Sequence, residues 1–180
     1  MPGRKWKRRA EMQTVPVDRI LFTAEQIQQR VGELGQEIAR DYAGKPLHLI
    51  GVLRGALPFL ADLVRAIDLP QVTFDFLCVR RRPERTPELL FDLDSALEGR
   101  HVLLVEDLVG EGRTLAYLEK MLRVRNPASL RLCSLLRRDR GVELAYRGWD
   151  LEEQGFLVGY GLDLQESWRH LPYIGVARGV

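Results

Sequence analysis

The sequence is short of most features that settle a class at a glance, and each shortage excludes something. It has two cysteines, Cys78 and Cys133. Both lie in apolar, strand-like runs, so they read as reduced core thiols of a cytoplasmic protein rather than as a disulfide or metal pair. Three histidines, His48, His101 and His170, show no ligand spacing. No apolar run approaches the ~20 residues of a membrane span. The basic N-terminus has no apolar stretch behind it, so it does not read as a secretory signal. No internal repeat is visible. What remains is 180 residues, 46% hydrophobic and 29% charged, the make-up of a soluble single domain with room for a proper core.

The net charge of +2 is unevenly spread. Arg4, Lys5, Lys7, Arg8 and Arg9 put +5 into the first ten residues, which leaves −3 for the rest. The body is mildly acidic, and the basic signal is a tail. Such an arm, with Trp6 in it, is either a solvated flexible terminus or a contact for nucleic acid. Residues 1–12 are expected to be that arm.

Hydrophobic periodicity lays out the remainder. Val15–Leu21 reads as a short extended piece. Thr23 and Gln26 form a capping box, and Ile27, Val31, Leu34, Ile38 and Tyr42 recur at helical spacing, which predicts a helix over 24–42. A buried strand follows over Leu47–Leu53, a helix over 56–67, a strand over Val72–Val79 and a short returning strand over Leu89–Leu93. Between these last two lies a charged stretch broken by Pro83 and Pro87. A third core strand is expected over His101–Val105, a helix over Thr114–Val124 and a fourth strand over Ser129–Leu136. Leu144–Val180 reads as a small lobe plus one more strand. Alternating strands and helices imply a mostly parallel sheet flanked by helices. The loops after Leu53, Val79, Val105 and Leu136 should then meet in one site.

The chain is organised around H-V-L-L-V-E-D-L-V-G-E-G-R-T-L, His101–Leu115. An apolar strand runs into two carboxylates, Glu106 and Asp107, then a glycine-bearing turn and a helix start. Glycines let the backbone approach a ligand closely, and free amides at a helix N-terminus attract phosphate. Neighbouring carboxylates suit ribose hydroxyls or a Mg2+ ion with its waters. The plain alternative is a strand–helix connection with a solvated acidic end.

Four motifs in order extend this reading, and over roughly residues 14–178 the chain resembles the hypoxanthine-guanine phosphoribosyltransferases. Leu53-Arg54-Gly55 resembles that family's pyrophosphate loop. Val105-Glu106-Asp107 with Gly112-Arg113-Thr114 resembles its phosphoribosyl diphosphate (PRPP) signature. Phe156–Asp163 is similar to its purine-binding stretch, and Arg169 with Leu171–Val176 to its C-terminal motif. The resemblance implies a type I phosphoribosyltransferase fold. It is a single domain over 13–180, with a core over about 24–140 and a small hood lobe from about 13–23 and 141–180. It implies a cytoplasmic purine-salvage enzyme, a homodimer or homotetramer, that uses Mg2+ and PRPP. The enzyme converts hypoxanthine or guanine to IMP or GMP and releases pyrophosphate.

Carried over residue by residue, Glu106 and Asp107 would hold the ribose hydroxyls. Gly110, Glu111, Gly112, Arg113 and Thr114 would form the 5′-phosphate loop. Arg54, Gly55 and Arg169 would meet pyrophosphate, Arg54 and Gly55 through a cis peptide of the kind the family often has. Phe156 would stack on the base, the Leu157 backbone would read its edge, and Asp163 would contact base and metal. Glu106, Asp107 and Asp163 would be the metal-side carboxylates. Arg138 falls where the family usually has a lysine donating to purine O6. For Phe156 and Leu157 the alternative is plain core, and for Arg138 a solvated cation.

Three departures from the family pattern bear on chemistry. Where the loop usually carries a catalytic aspartate, this chain has Gly110, and the small hydroxyl residue beside it is Glu111. The loop after Val79 has Arg80, Arg81, Arg82 and Arg85 instead of the usual Ser-Tyr pair. In one reading Glu111 supplies the missing base. In the other the protein binds purine nucleotides without efficient turnover, as a regulator whose arm contacts nucleic acid. The two part on one measurement. An enzyme with a solvated arm gives no nucleotide-dependent RNA or DNA binding at low salt, where basic arms bind best. A regulator binds, and loses the binding when residues 1–10 are deleted.

Overall fold

The computed structural model describes residues 17–80 and 87–178. The basic arm, and Arg81, Arg82 and Arg85 of the charged loop, fall outside them. Among the described residues nine strands form two sheets, with three helices between them in the chain. The elements are β1 (Val17–Phe22), α1 (Ala24–Asp41), β2 (Leu47–Leu53), α2 (Leu57–Ala66), β3 (Val72–Arg80) and β4 (Glu88–Phe91). They continue with β5 (His101–Val109), α3 (Arg113–Arg123), β6 (Ser129–Arg137), β7 (Tyr146–Asp150), β8 (Leu157–Val158) and β9 (Ile174–Ala177).

The larger sheet has the order β4-β3-β2-β5-β6-β7. All its pairings are parallel except the outermost, β3 with β4. Its central strands are apolar on both faces, as a covered parallel sheet requires. Leu47, Leu49, Leu103 and Val105 face α1 and α2. Ile50, Val52, Val102 and Leu104 face Leu115, Leu118 and Leu122 of α3. The capping box at Thr23 and Gln26 is formed. α1 then lies so close to α2 that a Cβ at Gly35 would overlap the Ala66 carbonyl.

Two differences from the sequence reading, in β5 and at Cys78, have simple causes. β5 does not stop at Val105. Leu108 pairs with Leu136 and Val109 with Arg137, so β6 carries the ladder four residues further, and Glu106 and Asp107 sit inside a strand rather than after one. The C-terminal segment supplies one more strand and a small lobe, as its sequence suggests, and β7 joins the larger sheet beside β6. Only β8 and β9, with β1, form the separate three-stranded sheet. Cys78 is half-buried at a cleft, whereas Cys133 is in the core.

His48 is 2% exposed in β2. Its Nδ1 lies 2.8 Å from Thr73 Oγ1, and its Nε2 is buried with no protein partner. Burial, and then the Arg100 guanidinium, pull its pKa below the ordinary 6.5. The fold therefore favours neutral His48. That stability is complete above the unfolded value, and it is lost as pH falls from there through the depressed folded one. Urea midpoints measured from neutral to mildly acidic pH should fall in wild type, with a flatter acid limb in His48→Gln. Identical limbs would exclude His48 as the group responsible.

Candidate active site

The loops after β2, β3, β5 and β6 converge at the carboxyl edge of the larger sheet, where open α/β sheets bind ligands. Two recesses lie there. One, of about 480 Å³, is lined by Arg54, Gly55, Arg80, Asp107, Asp163 and Arg169, with Cys78 in its wall. The other, of about 260 Å³, is formed by residues 108–115. Glu106, 2% exposed, lines both, so the two adjoin.

The smaller recess is formed by the loop expected to hold phosphate. Gly112 takes φ 75° and caps α3 without a side-chain bond, which leaves the first-turn amides available for an anion. The first intrahelical bond is Ala116 N–H to the Gly112 carbonyl, 2.8 Å. From behind, Val142 closes on Gly112, since a Cβ there would lie 2.6 Å from Val142 Cγ2. Val142 is held in turn by Arg137, which donates to its carbonyl at 3.0 Å and pairs with Asp150 at 2.7 Å. Glu111 pairs with Arg113 at 2.7 Å, both side chains about three-quarters exposed. A carboxylate held this way is offset against the loop's own cation and repels a phosphate less. No local signal points to the Val142 and Arg137 brace, because its parts lie far along the chain from the loop they support.

In the larger recess the Leu53–Arg54 peptide is cis. Gly55 is wedged between two neighbours. A Cβ on it would overlap Asp107 Oδ2, and a Cβ on Gly161 (φ 97°) would overlap the Gly55 carbonyl. Tyr160 Oη donates to Asp62 of α2 at 2.6 Å, which fixes the 159–161 turn over that loop. Arg169 donates to the Gly161 carbonyl at 2.7 Å and pairs with Asp163 at 2.7 Å. Glu166, unnoticed in the sequence, pairs with Arg54, and Arg169 Nη2 lies 3.6 Å from it. Glu166 lies between the motifs, after Asp163 and before Arg169. Arg80 pairs with Glu88 at 3.2 Å.

On the base side, Arg138 leaves β6 with its N–H on the Val109 carbonyl at 2.8 Å. Its guanidinium donates to the Gly155 carbonyl, its Nε is buried without a protein partner, and burial lowers its pKa. It is not a solvated cation. Phe156 is 57% exposed and so is not core, while Leu157 is buried in β8. Among the described residues no three His, Cys, Asp or Glu side chains cluster tightly enough to hold an ion. Glu106, Asp107 and Asp163 line one cleft but do not converge on one point. That donor set fits a hard divalent cation that brings its own water and phosphate ligands.

A mostly parallel sheet, a glycine-bearing loop at a helix start and an arginine-lined cleft beside it have the form of a phosphoribosyltransferase. Residues 20–165 match the family described as phosphoribosyl transferase domain. The chain is 45% identical over 181 residues to the hypoxanthine-guanine phosphoribosyltransferase of Mycobacterium tuberculosis, a match covering 92% of this chain and 89% of that one. It is 40% identical over 168 residues to that of Dictyostelium discoideum, covering 87% and 93%. A crystal structure of a Staphylococcus aureus hypoxanthine phosphoribosyltransferase superposes with a TM-score of 0.85 at 35% identity, covering 91% of this chain and 94% of that one. The chain belongs to the hypoxanthine-guanine phosphoribosyltransferase family.

Gly55→Ala tests the wedge. The added methyl must displace the Asp107 carboxylate or the Gly161 turn, an overpacking cost of ~1–3 kcal/mol. The melting temperature should drop, and pyrophosphate titrated by calorimetry should bind about tenfold or more weakly. Unchanged binding would show that the wedge does not shape the cleft.

Proposed function

We propose that the protein transfers the 5-phosphoribosyl group of PRPP to N9 of a 6-oxopurine, giving IMP from hypoxanthine or GMP from guanine, with release of pyrophosphate. The observation that carries this reading is the adjacency of the two recesses through Glu106, with Arg138 bonded both to Val109 of the smaller recess and to Gly155, the neighbour of Phe156. That arrangement supports a sugar phosphate, a diphosphate and a flat base held side by side. The protein is read as a cytoplasmic homodimer or homotetramer. Among the described residues no helix is long and apolar enough to cross a membrane.

The roles follow from the chemistry. The amides of Gly112, Arg113 and Thr114 and the Thr114 hydroxyl hold the 5′-phosphate. Glu106 and Asp107 accept from the ribose hydroxyls, which fixes C1′ between base and leaving group. Arg54 and Arg169 meet the diphosphate as it takes up the electron pair of the breaking bond, with the Gly55 backbone alongside. Mg2+, held through Glu106, Asp107 and Asp163 and the diphosphate oxygens, would neutralise leaving-group charge. Phe156 stacks on the base, the Leu157 backbone reads its edge, and Arg138 donates to O6. A donor there matches a 6-oxo group and opposes the 6-amino group of adenine. Glu111 enters as the partner of Arg113.

Purified protein with PRPP, Mg2+ and hypoxanthine or guanine should form IMP or GMP. Retained nucleotide binding without product would end the transferase reading and favour the regulator. Glu111→Gln should keep turnover within a few-fold. A general base contributes ~10²–10⁴-fold, so a fall of that size would restore Glu111 to that role.

A further inference from the structure

Building on the transferase reading, we propose that Arg138 does the charge work of the carboxylate missing at position 110. The enzyme then binds its purine as the anion of the five-membered ring and selects for ring acidity. The two positions are neighbours. Val109 and Arg137 are in register across parallel β5 and β6, and the Arg138 N–H bonds the Val109 carbonyl at 2.8 Å. Residues 110 and 138 therefore leave adjacent strands at one level. Nothing in the fold forbids a side chain at 110. A Cβ there has no atom within 4 Å, and the backbone is not left-handed. A carboxylate at that place would stand beside the cation at 138 and offset it, and in this chain it does not exist.

The other carboxylates around Arg138 are committed elsewhere. Glu111 pairs with Arg113, Asp150 with Arg137, and Glu152 with Arg140. Glu153 pairs with Arg19 and accepts from the Gly155 amide, while Asp139 accepts from the Gly141 amide. Among the described residues Arg138 has no carboxylate partner. Its one contact is with a neutral carbonyl, and a further N–H is buried and unused. A desolvated cation without a counter-ion favours an anion beside it.

Geometry sharpens the preference. O6 and N7 of a 6-oxopurine are adjacent acceptors on one edge, the pair that a guanidinium reads in guanine with two parallel N–H bonds. A lysine ammonium offers only a point. A neutral base that attacks through N9 carries its proton on N7, and that N–H would oppose an arginine donor. The anion has a lone pair there instead. Its proton goes to bulk water on binding. The N9 lone pair then forms the bond to C1′, the C1′–oxygen bond breaks with its electron pair leaving on pyrophosphate, and no proton is left to remove. No carboxylate at 110 is needed, and one would weaken the anion's binding.

The experiment compares guanine with 8-azaguanine, whose triazole ring is more acidic, in wild type, Arg138→Gln and Gly110→Asp. The near-ultraviolet spectrum of the bound base reports its ionisation without turnover. In wild type the pKa of the bound base should fall by about one unit or more, a tenfold preference for the anion. The shift should vanish in Arg138→Gln and shrink in Gly110→Asp. The rise of kcat/KM with pH should reach its plateau at lower pH for 8-azaguanine than for guanine. A bound base that stays neutral, a shift that survives in Arg138→Gln, or pH profiles that coincide would each overturn the proposal. Absence of product with both bases, while the spectral shift is present, would overturn the transferase reading alone.

Discussion

The site depends on one close approach, the absence of any side chain at Gly55. On one side the Asp107 carboxylate stands where a Cβ would be. On the other the Gly55 carbonyl occupies the space that a Cβ on Gly161 would need. The loop after β2, the middle strand β5 and the turn between the hood strands therefore meet at backbone distance. Interiors pack too tightly to absorb even one methyl group there without movement. Tyr160 on Asp62, and Arg169 on the Gly161 carbonyl, keep the turn in place. Two segments more than a hundred residues apart thus form one wall of the diphosphate cleft.

The same wall is electrostatically balanced before any ligand arrives. Arg54 and Arg169 are the cations a diphosphate would meet, yet Glu166 and Asp163 already partner them. The pair at Arg54 is largely exposed, and surface pairs of that kind are worth ~0–1 kcal/mol, so a multiply charged anion can displace Glu166 at little cost. The Asp163–Arg169 pair is more buried and has backbone bonds at both ends. It acts as a fixed strut, while Arg54 is the adjustable member.

Much of this was legible in the residues. α1 announced itself through Thr23, Gln26 and five apolar residues at helical spacing, and β2 through an apolar run broken only by His48. Those are local signals, and they hold because the local preference and the core want the same thing. The end of β5 was not legible. Glu106 and Asp107 look like the close of a strand, and only the ladder to β6 carries the strand past them. The bounds of β7 were hidden for a like reason, since Y-R-G-W-D has few apolar residues and is a strand because β6 needs a neighbour. The position of each motif in the site could be read from the resemblance, but the partners could not. Glu166 on Arg54, Val142 on Gly112 and Gly155 on Arg138 all arise from distant segments that only the fold brings together.

The contact between Val142 and Gly112 reaches beyond packing. The turn that presses on the loop at Gly112 begins at Arg138, so in the proposed reaction a handful of residues would carry both the grip on the sugar phosphate and the donor for the base. An insertion or deletion in that turn would disturb both at once. Natural variants of this protein that change their base should do so by exchanging side chains within a turn of constant length, and residues 110, 138 and 142 should change together rather than singly.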